Sequence, residues 1–243
     1  ALFRILECWK GQVLIDGVDI SKLGLHTLRS RLSVIPQDPV MFTGTVRENL
    51  DPFMRNTDAD VWSALERVHL ADVIRGLPLQ LQAPVLENGE NFSVGQRSLF
   101  CIGRALLRKS KILFLDEATA SVDLETDRLI QMTLQDVFEG CTVFAIAHRL
   151  NTIIDSDRVI VMDEGRLAEY DAPSRLLEEP TTKFSRLVLE TGKASRLHLT
   201  RAAVAHAAGV GATYTEARNA HEDTFLQVPS DDEVTRSETW HHV

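Results

Sequence analysis

The residues predict an α/β domain with a mainly parallel central sheet, and three observations carry that reading. Ile112–Asp116 (ILFLD) is an unbroken apolar run, and a strand apolar on both faces belongs inside a parallel sheet with helices above and below. Runs of this kind alternate with stretches of helical period through the middle of the chain, the pattern of an α/β fold. The composition suits a chain that can bury a core: 44% hydrophobic and 25% charged over 243 residues.

Taken in order, Ala1–Glu7 (ALFRILE) reads as the last part of a helix. Gln12–Asp16 alternates toward a D-G turn, and Val18–Ile20 follows, so a short hairpin is expected there. Leu32–Pro36 (LSVIP) is a short apolar strand halted by proline. Asp58 to Arg75 is predicted helical, with Val61, Leu65, Val68 and Ala71 near one face. Asn88–Phe92 is a polar loop. The helix expected from Val94 to Lys109 has an apolar stripe of Leu99, Ile102 and Leu106, with Arg97, Arg104 and Arg108 roughly opposite. After the ILFLD strand, Leu124–Phe138 is helical, and Thr142–Ala147 and Arg158–Met162 are expected to be a second and a third buried strand. Arg166–Tyr170 is expected at a sheet edge, with closing helices at Pro173–Glu178 and Lys183–Glu190. Beyond Ala194 the apolar period fails, so residues 194–243 are expected to form a disordered acidic tail.

Charge and cysteine usage narrow the function classes. Twenty-six basic against 35 acidic residues give a formal net charge of −9. Residues 201–243 contribute three Arg against seven Asp or Glu. No block of Lys and Arg is present, which argues against a nucleic-acid partner, since phosphate contacts need clustered cations. No stretch approaches the ~20 apolar residues of a membrane span. Cys8, Cys101 and Cys141 lack metal-ligand spacing and fit a reducing compartment. The first residue is Ala, so the chain is expected to be a fragment.

The residues that carry chemistry cluster at predicted strand ends and helix starts. Asp116 and Glu117 close the central strand, and ligands of open α/β sheets bind at the carboxyl ends of strands. Two neighbouring carboxylates there can divide two tasks, one holding Mg²⁺ and one orienting or deprotonating a water. The plainer alternative is an acidic strand end that caps the next helix. Asn91–Gln96 (NFSVGQ) sets Ser93, Val94, Gly95 and Gln96 at a helix start, where free backbone N–H groups and the helix dipole favour an anion. Asp123 follows the acid pair within one short turn. His148 lies just past the next strand, at the adjacent sheet position, where it could reach a γ-phosphate. Gln37 ends the Leu32–Pro36 strand with a neutral oxygen suited to a Mg²⁺ or water shell.

In that order, Gln37 in IPQDP, FSVGQ at 92–96, ILFLDE at 112–117, SVD at 121–123 and His148 in IAHRL resemble the nucleotide-binding domain of ABC transporters. They match the Q-loop, signature, Walker B, D-loop and H-loop, over about residues 1–192. GTVRENLDPF (44–53), FSVGQ-R and DEATASVDLETD (116–127) are similar, more narrowly, to the second nucleotide-binding domain of subfamily C exporters, the multidrug-resistance-associated-protein and sulfonylurea-receptor branch. The signature departs from the commoner LSGGQ at Phe92 and Val94 but keeps its Ser, Gly and Gln. No G-x-x-x-x-G-K-[ST] run, the phosphate-cradling Walker A, occurs in the 243 residues. Gly192-Lys193 is a decoy, with Leu187 where the first glycine belongs.

The resemblance implies a P-loop NTPase-like ABC ATPase core over residues 1–193, with a helical signature subdomain at about 54–109. It implies ATP and Mg²⁺ as cofactors, with Glu117, His148 and Gln37 catalytic and Asp116 and Gln37 serving the metal. Ser93, Val94, Gly95, Gln96 and Asp123 would face a nucleotide or a facing domain. The expected partners are a second nucleotide-binding domain in a head-to-tail sandwich and the transmembrane domains of a parent exporter. The expected location is the cytoplasmic face of a membrane. On this reading the chain begins just after Walker A and is inactive alone. The competing reading is a non-catalytic module that supplies only its signature half-site to a partner.

Overall fold

A computed structural model describes residues 1–116, 123–147 and 149–209. The chain divides into two units, Ala1–Ile146 and Ala147–Val243, where the sequence reads as one domain over 1–193.

In the first unit, β1 (Leu14–Ile15) and β2 (Val18–Asp19) form the expected hairpin on the Asp16-Gly17 turn. Ala1–Glu7 is a set of turns, not the helix end that its sequence suggests. Arg4 has φ 50°, and its guanidinium donates to the carbonyls of Ile20 and Leu23 at 3.1 and 2.7 Å. Those tertiary bonds outweigh the local helical preference.

Helix α1 (Leu25–Arg29) leads into β3 (Leu32–Ile35), which stops at Pro36. Strand β4 (Gly44–Thr45) enters α2 (Val46–Leu50) through a capping box: Thr45 and Glu48 satisfy one another's amides. The stretch from Asp58 to Arg75 is two helices, α3 (Asp58–Arg67) and α4 (Ala71–Arg75). The break falls at His69, φ 57°. The apolar period runs through it because Val68, Leu70, Ala71 and Ile74 all stay buried. Strand β5 (Pro84–Val85) pairs with β4. Helix α5 (Val94–Arg108) ends at Lys109 in the left-handed conformation.

β6 (Ile112–Asp116) lies between β3 and a later strand, parallel to both, the central position that its apolar run requires. Helix α6 (Leu124–Val137) follows, and β7 (Thr142–Ile146) closes the sheet in the order β3-β6-β7. Phe114 of β6 stacks on Phe144, its cross-strand neighbour, at 5.2 Å between ring centroids. The expected burial of β7 is corrected: every residue of that strand is exposed. Among the described residues it is the last strand of the three, with a neighbour on one side only. The main core lies under α5, where α2, α3, α4 and α6 bury Leu50, Leu65, Ile74, Phe100, Ile102 and Ile130.

The second unit holds α7 (Leu150–Ile153), the hairpin of β8 (Val159–Asp163) and β9 (Arg166–Asp171), α8 (Pro173–Glu178), α9 (Lys183–Glu190) and α10 (Lys193–Ala207). The expected burial of β8 is corrected: as half of a two-stranded hairpin it buries Val159 alone. The core of this unit is Ile154, Val159, Leu176, Phe184, Val188, Leu199 and Ala203. The last two residues correct the expected tail boundary at 194. They belong to α10, one turn apart, and are 1% and 2% exposed. Residues 210–243, the remainder of that tail, lie outside the described residues. Among the described residues no helix is long and apolar enough to cross a membrane.

Candidate functional site

The sheet register fixes which predicted residues share an edge. Ile35 pairs with Leu115, and Asp116 pairs with Ile146. All three strands are parallel, so Gln37 and Asp116 leave the sheet at the same carboxyl edge. Both are exposed. Glu117 and His148 lie outside the described residues, as do Ser121 and Val122.

The start of α5 is built as its sequence predicts. Ser93 is the N-cap: its Oγ accepts from the Gln96 amide at 3.2 Å, and its own amide donates to Gln96 Oε1 at 2.9 Å. This capping box satisfies two of the amides that a helix start leaves over. It also means that Ser93 and Gln96 hold each other in this structure. Val94 and Gly95 remain as first-turn amides, for which the helix has no acceptor.

Gly95 is buried against α6. A side chain there would meet the Thr126 Cγ2 methyl inside contact distance. The N-cap of α6 is Asp123, whose carboxylate accepts from the Thr126 amide at 3.0 Å and the Thr126 hydroxyl at 2.7 Å. The backbone bond from Thr126, reinforced by its hydroxyl, holds the Asp123 carboxyl below the usual range. Gly95 and Asp123, widely separated in sequence, are thus brought together through Thr126.

An open depression of about 430 Å³ adjoins the start of α5, lined by Asp38, Val40, Met41, Asn88, Val94 and Arg97. Arg97 and Arg104 of α5 bind backbone carbonyls of other segments. Arg97 donates to the Asn88 carbonyl at 2.8 Å, and its Nε is buried without a partner. Arg104 donates to the Val40 carbonyl and the Asn49 carbonyl, each at 2.6 Å, and to Asn49 Oδ1 at 3.1 Å. Burial pushes the Arg104 pKa down, partly offset by Cys101. Among the described residues no group of three His, Cys, Asp or Glu could hold a metal.

A parallel sheet with Asp116 and Gln37 on its carboxyl edge is an architecture for phosphate and metal chemistry, and the first-turn amides of α5 are a second place suited to an anion. Residues 1–120 match the family model described as "ABC transporter". The chain belongs to the ABC transporter family. Its curated relatives place it further, in the C family. It is 57% identical over 190 residues to "ABC transporter C family member 5" of Arabidopsis thaliana, covering 78% of this chain and 12% of that protein. It is 58% identical over 176 residues to "ATP-binding cassette sub-family C member 2" of Rattus norvegicus, covering 72% of this chain and 11% of that protein. A bacterial Atm1-family ABC exporter solved with ATP bound is similar in structure, with a TM-score of 0.72 at 35% identity. That match covers 79% of this chain and 34% of the exporter chain. The chain therefore spans roughly an eighth of the length of the curated relatives that it matches.

Proposed function

We propose that this chain supplies ATP-hydrolysing machinery to a C-family exporter, working at the cytoplasmic face of a membrane. The observation that supports it best is the shared carboxyl edge, where the register sets Asp116 beside the strand end that leads to Gln37. A carboxylate and an amide oxygen are hard donors of the kind that Mg²⁺ prefers, so the residues fit that ion. Bound there with ATP, Mg²⁺ would neutralise charge on the phosphates. Asp116 and Gln37 would hold its shell, Glu117 would orient and deprotonate water, and His148 would contact the terminal phosphate. The nucleotide bound in the Atm1-family exporter supports the same ligand class.

The start of α5 serves a second nucleotide, held by a facing domain. Val94 and Gly95 would offer first-turn amides to its terminal phosphate, with Ser93 and Gln96 exchanging their mutual bonds for that contact. Asp123 would meet the facing domain. Transmembrane domains of the parent would be driven by closure of the pair. The 243 residues contain no G-x-x-x-x-G-K-[ST] run, so the isolated chain should hydrolyse ATP only at background and act through this half-site alone.

The test is ATP-dependent association of the chain with an ATP-loaded nucleotide-binding domain that carries its own Walker A. Wild type should associate, and Ser93→Ala should weaken association by the loss of one hydrogen bond to a charged group, about 1.5–3 kcal/mol. Gly95→Asp should abolish it, because a side chain there is driven into Thr126 and displaces the helix start that carries the Val94 and Gly95 amides. Association absent in wild type, or indifferent to both changes, would remove the half-site from the account.

A further inference from the structure

Among the described residues the partners of Arg104 include no carboxylate. Its side chain spans from α5 to the segment that follows Gln37: Nη1 to the Val40 carbonyl, Nη2 to Met41 Sδ at 3.3 Å, and the guanidinium 5.5 Å from the Phe42 ring. On its other side it grips Asn49. Asn49 holds the same segment from α2, accepting from the Phe42 amide at 2.9 Å and donating to the Phe42 carbonyl at 2.7 Å. Cys101, one turn back on α5, is buried against this junction. A guanidinium that binds carbonyls at several points fixes both position and orientation, which a lysine ammonium on a flexible stem cannot reproduce.

The consequence falls on Gln37. Upstream, Ile35 is fixed by its pairing with Leu115. Downstream, Val40 is fixed by Arg104. Only Pro36, Gln37, Asp38 and Pro39 lie between, and the two prolines have φ locked near −65°. Gln37 thus rides a short, stiff bridge whose far end is carried by α5. Arg104 sits eleven residues after Ser93 on that helix, about 16 Å along its axis at 1.5 Å per residue. We infer that Arg104 is a positioning residue that couples the signature helix to Gln37, so that a shift of α5 at its capped start is transmitted to the Gln37 side chain.

This inference rests on the proposed ATPase role of Gln37, and two experiments keep the two ideas separate. In the full-length parent protein, Mg-ATP turnover is compared for wild type, Arg104→Lys, Gln37→Ala and the double variant. Arg104→Lys should lower kcat about tenfold with KM held within twofold. In the Gln37→Ala background the same change should alter kcat less than twofold, because the residue that it positions is already gone. If the two single effects multiply, or Arg104→Lys leaves kcat unchanged, Arg104 does not act through Gln37. If wild type shows no turnover, the ATPase reading fails on its own. Hydrogen exchange on the 243-residue chain then decides the link without nucleotide. Arg104→Lys should speed exchange at residues 37–42 tenfold or more, while β3 and β6 stay within twofold. Unchanged exchange there, or an equal rise in β3 and β6, overturns the coupling.

Discussion

A single methyl group added at Gly95 is the sharpest packing test of the helix start. Alanine at that position would place its Cβ against Thr126 Cγ2, with Thr126 Cβ at 3.4 Å and Oγ1 at 3.6 Å. The threonine has little freedom to turn aside, since its hydroxyl is bonded to Asp123 and its amide is capped by the same carboxylate. Helix propensity alone would favour alanine by up to about 1 kcal/mol, whereas overpacking costs about 1–3 kcal/mol. The expected net effect of Gly95→Ala is a loss of about 1–2 kcal/mol, read as a midpoint lowered by about 2–8 °C for a chain of this size. Thr126→Ser removes the offending methyl and keeps the hydroxyl that Asp123 holds. The double variant should therefore recover to within about 0.5 kcal/mol of Thr126→Ser alone. Thermal or urea unfolding of the four proteins measures the cycle. Gly95→Ala as stable as wild type, or a loss that Thr126→Ser does not relieve, would refute the packing argument.

Three further outcomes are expected. Leu199→Ala on α10 should destabilise the second unit by about 2–5 kcal/mol, and limited proteolysis should leave a core that extends through Ala207; cleavage near residue 194 would mean that the helix is not docked. Asp51 is buried with Arg47, 3.3 Å away. Burial raises its pKa, but hydrogen bonds from Asn56, Arg55 and Arg47 outweigh that and set it below the ordinary carboxylate value. A depressed folded pKa contributes stability above the unfolded value near 4 that is lost as pH falls through the folded one. The acid limb of the stability curve should therefore flatten in Asp51→Asn, at a cost of about 3 kcal/mol near neutrality; an unchanged acid limb would contradict this. In a C-family exporter carrying this chain as part of a nucleotide-binding domain, Asp116→Asn should weaken Mg-ATP binding itself, measured by isothermal titration, and undiminished affinity would take Asp116 out of the metal shell.

The parts of the fold that were legible are those where local pattern and tertiary position agree. The ILFLD run demands a central place with two strand neighbours, and β6 has both neighbours, although Leu113 alone of its residues is fully buried. Ser93 and Gln96 stand three apart before an apolar run, the sequence signature of a capping box, and the start of α5 forms one. The missed parts depend on what lies beside an element. β7 is as apolar as β6, yet its exposure is decided by its place at the end of the sheet. His69 breaks a helix whose apolar period never falters, because the residues on both sides of the break bury against the same core. α10 buries only Leu199 and Ala203, so its Ala-rich sequence shows no stripe. At the site, residue types and their order were readable for Gln37, Asp116 and Ser93. The contact of Gly95 with Thr126 and the grip of Arg104 on Val40 were not, since each joins segments far apart in sequence.

The central claim is that the acid pair at the end of β6 turns over ATP, with Glu117 acting on water and Asp116 on the metal. Its most direct test is hydrolysis and nucleotide retention by a C-family exporter carrying this chain with Glu117→Gln, a change that keeps the side chain's size and removes its charge. The account predicts turnover reduced to background while Mg-ATP stays bound and the nucleotide-binding domains stay closed on it. Near-normal hydrolysis by Glu117→Gln would contradict it.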